Sequence, residues 1–338
     1  MAANRLGARA EIALAAGAVE ARCPAPDAWS AARFLALAFG GSGSAAPDLL
    51  PVPLRRLGGA TSWRIWEGPE PTRRAAGDAL EALLTPEHLV LHASLPLAPG
   101  ADIAEAARRA YGALLGRVGA LGYPHLVRIW NFVPAINDGV GDQETYVRFN
   151  AGRHAAFEAL GFGPGLYPAA TGVGSPPGSP LTVVVAASRT APLAVENPRQ
   201  TSAYRYPRRY GPRAPAFARA TVLPDRDGAT LFVSGTASIV GHESRGAGID
   251  AQLAETLANL AEIRARAART LPGLVPGPRA RWQVYLRDPA HLERVAAVID
   301  GALGPPGSVA YLAAEICRRE LLVEIEGTCE LLAAPAER

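Results

Sequence analysis

Three stretches carry residues that could do chemistry. The first, Glu196–Arg219 (ENPRQTSAYRYPRRYGPRAPAFAR), places seven Arg and Tyr residues between Tyr204 and Arg213, interleaved with proline. A helix cannot run through Pro207, Pro212 and Pro215, because each lacks an N–H and clashes with the preceding turn. The stretch therefore reads as an ordered loop of cations and phenols. Such a loop is either a solvated arginine-rich surface or an anion pocket, with guanidinium forks for carboxylate and Tyr hydroxyls for further oxygens. The second stretch, Asp142–Arg153 (DQETYVRFNAGR), could set Tyr146, Arg148 and Arg153 on one face of a short helix or turn. Two such clusters in different halves of the chain suit a site at the junction of those halves.

The third stretch is Ala314–Gly327 (AEICRRELLVEIEG). In a strand over Glu320–Glu326, residues Leu322, Glu324 and Glu326 share one face, and Leu321, Val323 and Ile325 the other. A strand with an acidic face is ordinarily a sheet edge in water. If a cavity lies there instead, burial raises the carboxyl pKa, and a protonated Glu can donate. His242, after the SGTAS turn, is either an acid–base group or a hydrogen-bonded loop histidine. Cys23 and Cys329 read as inert thiols, and Trp63, Trp66, Trp130 and Trp282 as core.

These groups need elements to position them. In the first half, His88–Leu95 reads as a strand. Ile103, Ala107, Tyr111, Leu114, Val118 and Leu121 come next at helical spacing, and Leu126–Val133 reads as a returning strand. In the second half, Ala229–Thr236 is a strand, Leu253, Leu257, Leu260, Ile263 and Ala267 mark a helix, and Arg281–Arg287 is the returning strand. A helix over His291–Leu303 and strands over Val309–Cys317 and Glu320–Glu326 complete the order. The Gly/Ser/Pro stretch at residues 171–180 (TGVGSPPGSP) reads as a loop between halves. The expectation is an α+β fold of mixed sheets with helices packed on one face, built from two pseudo-repeated halves, 1–170 and 171–338.

Composition narrows the chemistry. The chain has 338 residues and a net charge of +3, and every basic residue is Arg. Without Lys, Schiff-base, pyridoxal-phosphate and P-loop chemistry are excluded. GxGxxG, HExxH and GxSxG are absent as well, so nucleotide, zinc-protease and serine-hydrolase readings lose their usual support. The mild, scattered charge gives no reason to expect nucleic acid. No apolar run of about 18 residues lacks charge, so no transmembrane helix is expected. Three cysteines make neither a disulfide framework nor a metal site, and a cytoplasmic protein is the default expectation.

Several segments together resemble known families. LFVSGTAS, QLAETLANLAEI, WQVYLRDP and LLVEIEG, in that order, are similar to the RidA/YjgF superfamily (a chorismate-mutase-like fold). RIWNFVPAIND, ETYVRFNAGR, NPRQTSAYRYPRRYGPRAPAFARA, SGTASIVGHES and ICRRELLVEIEG resemble the chorismatases across residues 128–327. That resemblance implies two RidA-like halves, the first degenerate, and an enzyme needing no metal or cofactor. It implies a catalytic glutamate at Glu324, which protonates the methylene of the enolpyruvyl ether of chorismate so that pyruvate leaves. It also implies Cys317, seven residues earlier, as the mark of the branch that makes 3-hydroxybenzoate, where the hydrolase branch has alanine. The expected substrate contacts are Tyr146, Arg153, Tyr204, Tyr210, Arg219 and Arg287. The alternatives are the hydrolase branch, which gives a dihydroxycyclohexadiene carboxylate, a RidA-like enamine or imine deaminase, and a non-catalytic member. Tyr311 stands where the deaminases carry their carboxylate-gripping Arg, which argues against that activity. A fused double copy could supply both sides of a site, so a monomer or weak oligomer is expected.

Overall fold

The computed structural model describes residues 34–39, 49–60, 62–66, 73–77, 80–226, 228–304 and 308–334. Cys23 and the side chains of Trp63 and Trp66 lie outside the described set. In chain order, β1 (Phe34–Phe39), β2 (Leu49–Val52), β3 (Arg55–Gly59) and β4 (Ser62–Trp66) precede β5 (Arg73–Gly77), β6 (Leu80–Leu84) and β7 (His88–Leu95). Helix α1 (Ile103–Ala120), β8 (His125–Pro134), α2 (Thr145–Ala159), β9 (Ala169–Ser175) and β10 (Leu181–Ser188) come next. The second half runs β11 (Leu193–Val195), β12 (Ala220–Pro224), β13 (Gly228–Ala237), β14 (Ile239–Val240), β15 (Glu243–Ser244) and α3 (Gly248–Thr270). It ends with β16 (Leu274–Leu286), α4 (Leu292–Ala302), β17 (Val309–Ala313) and β18 (Val323–Ala333).

Two large mixed sheets result, a six-stranded one in the order β5-β6-β7-β10-β8-β9 and a seven-stranded one in the order β11-β12-β13-β18-β16-β17-β3. Each carries its helices on one face only. Helices α1 and α2 bury Tyr111, Leu114, Phe149 and Phe157 against the first sheet. Helices α3 and α4 bury Leu253, Leu260, Ile263, Val295 and Ile299 against the second. The two bare faces meet in a third core that includes Val90, Trp130, Phe132, Val184, Phe232 and Leu312. Burying rings such as Trp130 and Phe232 there contributes about 2–3 kcal/mol each. A strand buried on both faces cannot show alternation, and all eight residues of β10 (LTVVVAAS) are buried.

The stretch at 171–180 differs from its expected loop. Residues 169–175 form β9, parallel to β8, and the loop is confined to residues 176–180. Gly174 makes this strand possible. A Cβ there would lie 2.6 Å from both the Glu315 Cβ and the Ile136 Cγ2, because the Gly174 N–H donates to the Glu315 carbonyl at 2.7 Å and ties the two sheets together. The division at 170/171 consequently falls inside β9, and the first sheet continues to Ser188, while β3 crosses to the edge of the second sheet. Strand β18 starts at Val323 rather than Glu320. It lies between β13 and β16, so its acidic face is mid-sheet under the other layer and not a solvent edge.

Candidate active site

The acidic face of β18 meets the first sheet through a short break in β13. The ladder between β13 and β18 shifts register between Val233 and Thr236, the position of a β-bulge. Ser234 Oγ in the bulge donates to the Ala218 carbonyl and accepts from the Ala170 N–H, and the Gly235 N–H donates to Thr171 Oγ1 at 2.9 Å. A Cβ on Gly235 would lie 2.0 Å from Glu324 Oε1. Glycine at that point is therefore what leaves room for the Glu324 carboxyl.

Glu324 lines a small pocket that is partly open to solvent. Its other walls are Tyr146 and Arg153 from α2, Ala170, Thr171 and Gly172 from β9, Phe217 and Gly235 from the second half, and Cys317. Tyr146 and Arg153 are seven residues apart, two helical turns, so they share the face that α2 turns to the cavity. Gly152 sets how close that helix lies to α1, since a Cβ there would sit 1.9 Å from the Ala104 carbonyl oxygen. Arg148, expected on the same face, instead pairs with Asp102 at 2.8 Å on the outer side.

The two glutamates of β18 have contrasting surroundings. Glu326 Oε2 is met by Arg128 and by the Thr171 hydroxyl. Its Oε1 accepts from Trp130 Nε1 at 2.9 Å, Gln283 Nε2 at 2.5 Å and the Tyr285 hydroxyl at 2.9 Å. Burial leaves the Glu326 carboxyl above its ordinary value, against the opposing pull of Arg128, Thr171, Tyr285 and Trp130. Arg128 and Trp130 can only donate, so the carboxylate is the form their geometry fits. Glu324 faces the cavity without such a cage. Burial first, then the charge of Glu326, pushes its carboxyl up to about 8, against a smaller opposing pull from Arg128 and Arg219. Such a group is about nine-tenths protonated at pH 7.

Arg153 is 2 % exposed. It donates to Asn150 Oδ1 at 2.7 Å and lies over the Phe149 ring, its Nε has no partner, and among the described residues no carboxylate pairs with it. A buried cation without a counterion is costly unless an anion joins it. Burial also raises the pKa of Tyr146, leaving a neutral phenol that can donate. The Cys317 thiol is pushed up to about 12, chiefly by burial and then by Glu324. It is a thiol at neutral pH and no nucleophile.

The other four expected contacts do not line this cavity. Arg287 donates to the carbonyls of Leu321, Ile316 and Arg318 and to Asn137 Oδ1, and pairs with Glu315. It shapes the turn that carries Cys317 and has no N–H left for a ligand's two oxygens. Arg219 sits behind Phe217, over its ring at 5.3 Å, and donates to the Thr201 carbonyl and the Tyr206 hydroxyl. Tyr204 packs on Tyr167, with ring centres 5.8 Å apart. Tyr210 lies under Arg318 and beside His242, outside the wall. Sequence reasoning missed Arg128, Thr171, Gly235 and Phe217. Arg128 had a signal, being a charged residue inside the otherwise apolar strand LVRIWNFV. Thr171 was hidden in a stretch that reads as loop.

The motif residues of α3 act at a distance. Gln252 donates to the Glu320 carbonyl and accepts from the Leu322 N–H, which fixes the start of β18. Asn259 donates to the Ala237 and Ile239 carbonyls, which fixes the end of β13. A larger depression, about 1170 Å³, lies toward the other end of β18 beside Arg279, Glu330, Arg281 and Asp225. Its charges are engaged, Arg279 with Glu330 and the others with further partners. It therefore lacks the uncompensated buried cation that marks the smaller cavity.

Comparison with known proteins identifies the relatives of this chain. Residues 64–187 match the family described as chorismatase FkbO/Hyg5-like, N-terminal. The chain is 38 % identical over 239 residues to a 3-hydroxybenzoate synthase of Streptomyces hygroscopicus, covering 68 % of this chain and 70 % of that protein. It is 37 % identical over 270 residues to a chorismatase of Streptomyces rapamycinicus, covering 78 % and 80 %. A chorismatase crystal structure superposes with a TM-score of 0.78 at 29 % identity, over 94 % of this chain and all of that one.

Proposed function

This chain belongs to the chorismatase family, and on that premise we propose that it converts chorismate into 3-hydroxybenzoate and pyruvate, with Glu324 as the acid. The observation that carries the reading is a buried carboxyl, Glu324, and a buried guanidinium without a carboxylate partner among the described residues, Arg153, on the walls of one pocket. Chorismate is a dianion with an acid-sensitive enol ether. Arg153 and the Tyr146 hydroxyl hold a carboxylate, each charge-assisted bond contributing about 1.5–3 kcal/mol. Glu324 gives its proton to the methylene carbon, which becomes the methyl group of pyruvate. The oxocarbenium charge so formed draws the electrons of the ring–oxygen bond, and pyruvate leaves. The adjacent ring hydroxyl closes on the vacated carbon in an epoxide-like intermediate, which opens with loss of a ring proton. The products together hold the atoms of chorismate, and no water is consumed.

The branch rests on Cys317, a neutral thiol on the cavity wall. It fills space that water would occupy in the hydrolytic route, where solvent oxygen enters pyruvate. Cys317→Ala is expected to divert product toward the cyclohexadiene diol, read by chromatography after incubation with chorismate. An unchanged ratio would contradict the branch assignment. For the deaminase alternative, Tyr311 is packed in the core under α4 with its hydroxyl toward Asp300, away from the cavity. No helix among the described residues is long and apolar enough to cross a membrane. The direct test is purified protein with chorismate, without added metal. Equal amounts of pyruvate and 3-hydroxybenzoate are expected, and absence of pyruvate release would refute the assignment.

A further inference from the structure

Glu326 is a buried acid that does not line the cavity, yet among the described residues it is the most heavily hydrogen-bonded carboxylate of the interior. Its five partners come from three strands: Arg128 and Trp130 on β8, Thr171 on β9, and Gln283 and Tyr285 on β16, around a carboxylate on β18. Support extends one shell further. Thr171 Oγ1 also accepts from Arg128 and from the Gly235 N–H, so the hydroxyl proton is directed at Glu326. Asn131 donates to the Thr171 carbonyl and accepts from the Tyr111 hydroxyl. Glu324 lies two residues along the same face with none of these bonds.

The charged and titratable groups around Glu324 come from every layer. They are Arg128 on β8, Tyr146 and Arg153 on α2, Arg219 before β12, Cys317 on the preceding turn, Tyr285 on β16 and Glu326 on its own strand. Arg219 is engaged by the Thr201 carbonyl, the Tyr206 hydroxyl and two aromatic faces. Arg128 is the cation in the shared network, and Glu326 takes it. Without Glu326, Arg128 would be an unpaired buried cation with Glu324 as the nearest carboxyl to neutralise it. Glu324 would then ionise and lose its capacity to donate a proton.

We propose that Glu326 is a positioning residue for the proton: caged as a standing carboxylate, it neutralises Arg128 and obliges Glu324, on the cavity side, to remain the acid. This rests on the reading of Glu324 as the proton donor. The pair then behaves as two carboxyls whose surroundings push their acidities apart, the caged one giving up its proton first and the bare one keeping its own at neutral pH.

The test does not need turnover. Infrared spectroscopy of the protein across pH follows the carbonyl stretch of protonated buried carboxyls, and Glu324→Gln identifies the band belonging to Glu324. In Glu326→Gln the midpoint of that band is expected to fall by about tenfold or more in proton affinity. The alkaline limb of kcat/KM should move by the same amount. Glu326→Asp, which keeps the charge, should restore most of it. A purely structural role for Glu326 would lower kcat at all pH values and leave the limb in place. If Glu326→Gln does not fold, the Glu324→Gln protein decides. It should show no buried acid band near neutral pH, and a band persisting there would mean that Glu326 carries the proton, which overturns the proposal. An unmoved midpoint in Glu326→Gln with normal chorismate turnover by the parent protein refutes the role of Glu326 alone. A shifted midpoint with no chorismate turnover by the parent refutes the reaction and leaves the proton placement standing.

Discussion

The arginines of the loop at 204–213 and those of β8 and α2 share a side chain and little else. Arg208 pairs with Asp142, and Arg209 with Glu243, both at the surface. Arg128 and Arg153 are almost wholly buried, one balanced by Glu326 and the other by nothing among the described residues. The loop is the denser motif, yet the guanidinium that lines the cavity, Arg153, comes from the sparse pair, with Arg128 behind it on Glu326. A guanidinium in water is already solvated and gains little from a carboxylate, whereas one held dry pays for its burial until an anion arrives. Density of charge in a sequence therefore marks a site less well than a single charge in an apolar element.

The sharpest way to break this contrast is at the acid that faces the buried cations. Glu324→Gln should fold and lose about a thousandfold in kcat/KM. In the parent protein kcat/KM should be level below about 8 and fall above it, because only the protonated carboxyl works. Stability has the matching sign. The folded-state pKa lies above the ordinary carboxyl value, so the folded form binds more protons and the parent loses stability as pH rises from about 4.5 to about 8. Glu324→Gln lacks that loss, and its urea midpoint should gain on the parent across the same window. An equal gap at pH 5 and pH 8 would contradict the burial argument.

Arg153→Met comes next. It should cost about a hundredfold in kcat/KM, as two charge-assisted bonds are lost. Thermal stability should stay level or rise, since an uncompensated buried charge is removed. A destabilised protein with normal kinetics would make Arg153 a packing residue. Gly235→Ala ranks third, with a loss of about tenfold or more, because the new Cβ must displace the Glu324 carboxyl from a point 2.0 Å away. Full activity there would mean that the carboxyl works from another position. Last, Arg208→Ala should change kcat/KM by less than about twofold and leave the thermal midpoint nearly unmoved, as expected of an exposed pair. A loss like that of Arg153→Met would erase the distinction between the two regions.

The same contrast shows what the sequence could tell. Both layers were legible, because the apolar spacing of α1 and α3 and the runs of β7, β8, β13 and β16 match the periods of helix and strand. Glu324, Cys317, Tyr146 and Arg153, each in a short motif, were singled out in the sequence, and the structure brings them to one cavity. Arg219, Arg287, Tyr204 and Tyr210 belong to the same motifs but serve carbonyls and rings around the wall. Spacing along a chain cannot separate a side chain that lines a cavity from one that braces the wall behind it. Glu326 was visible as one of two acids on a strand face. Its cage was not, because Arg128, Thr171 and Tyr285 reach it only when two sheets close face to face.

Turnover in deuterium oxide tests the central claim most directly. The proton that Glu324 delivers exchanges with solvent beforehand, so chorismate should give pyruvate with one deuterium in its methyl group. An equal amount of 3-hydroxybenzoate should appear beside it, and Glu324→Gln should give almost none of either. Pyruvate formed at the parent rate by Glu324→Gln, or formed by the parent without deuterium, would contradict the account.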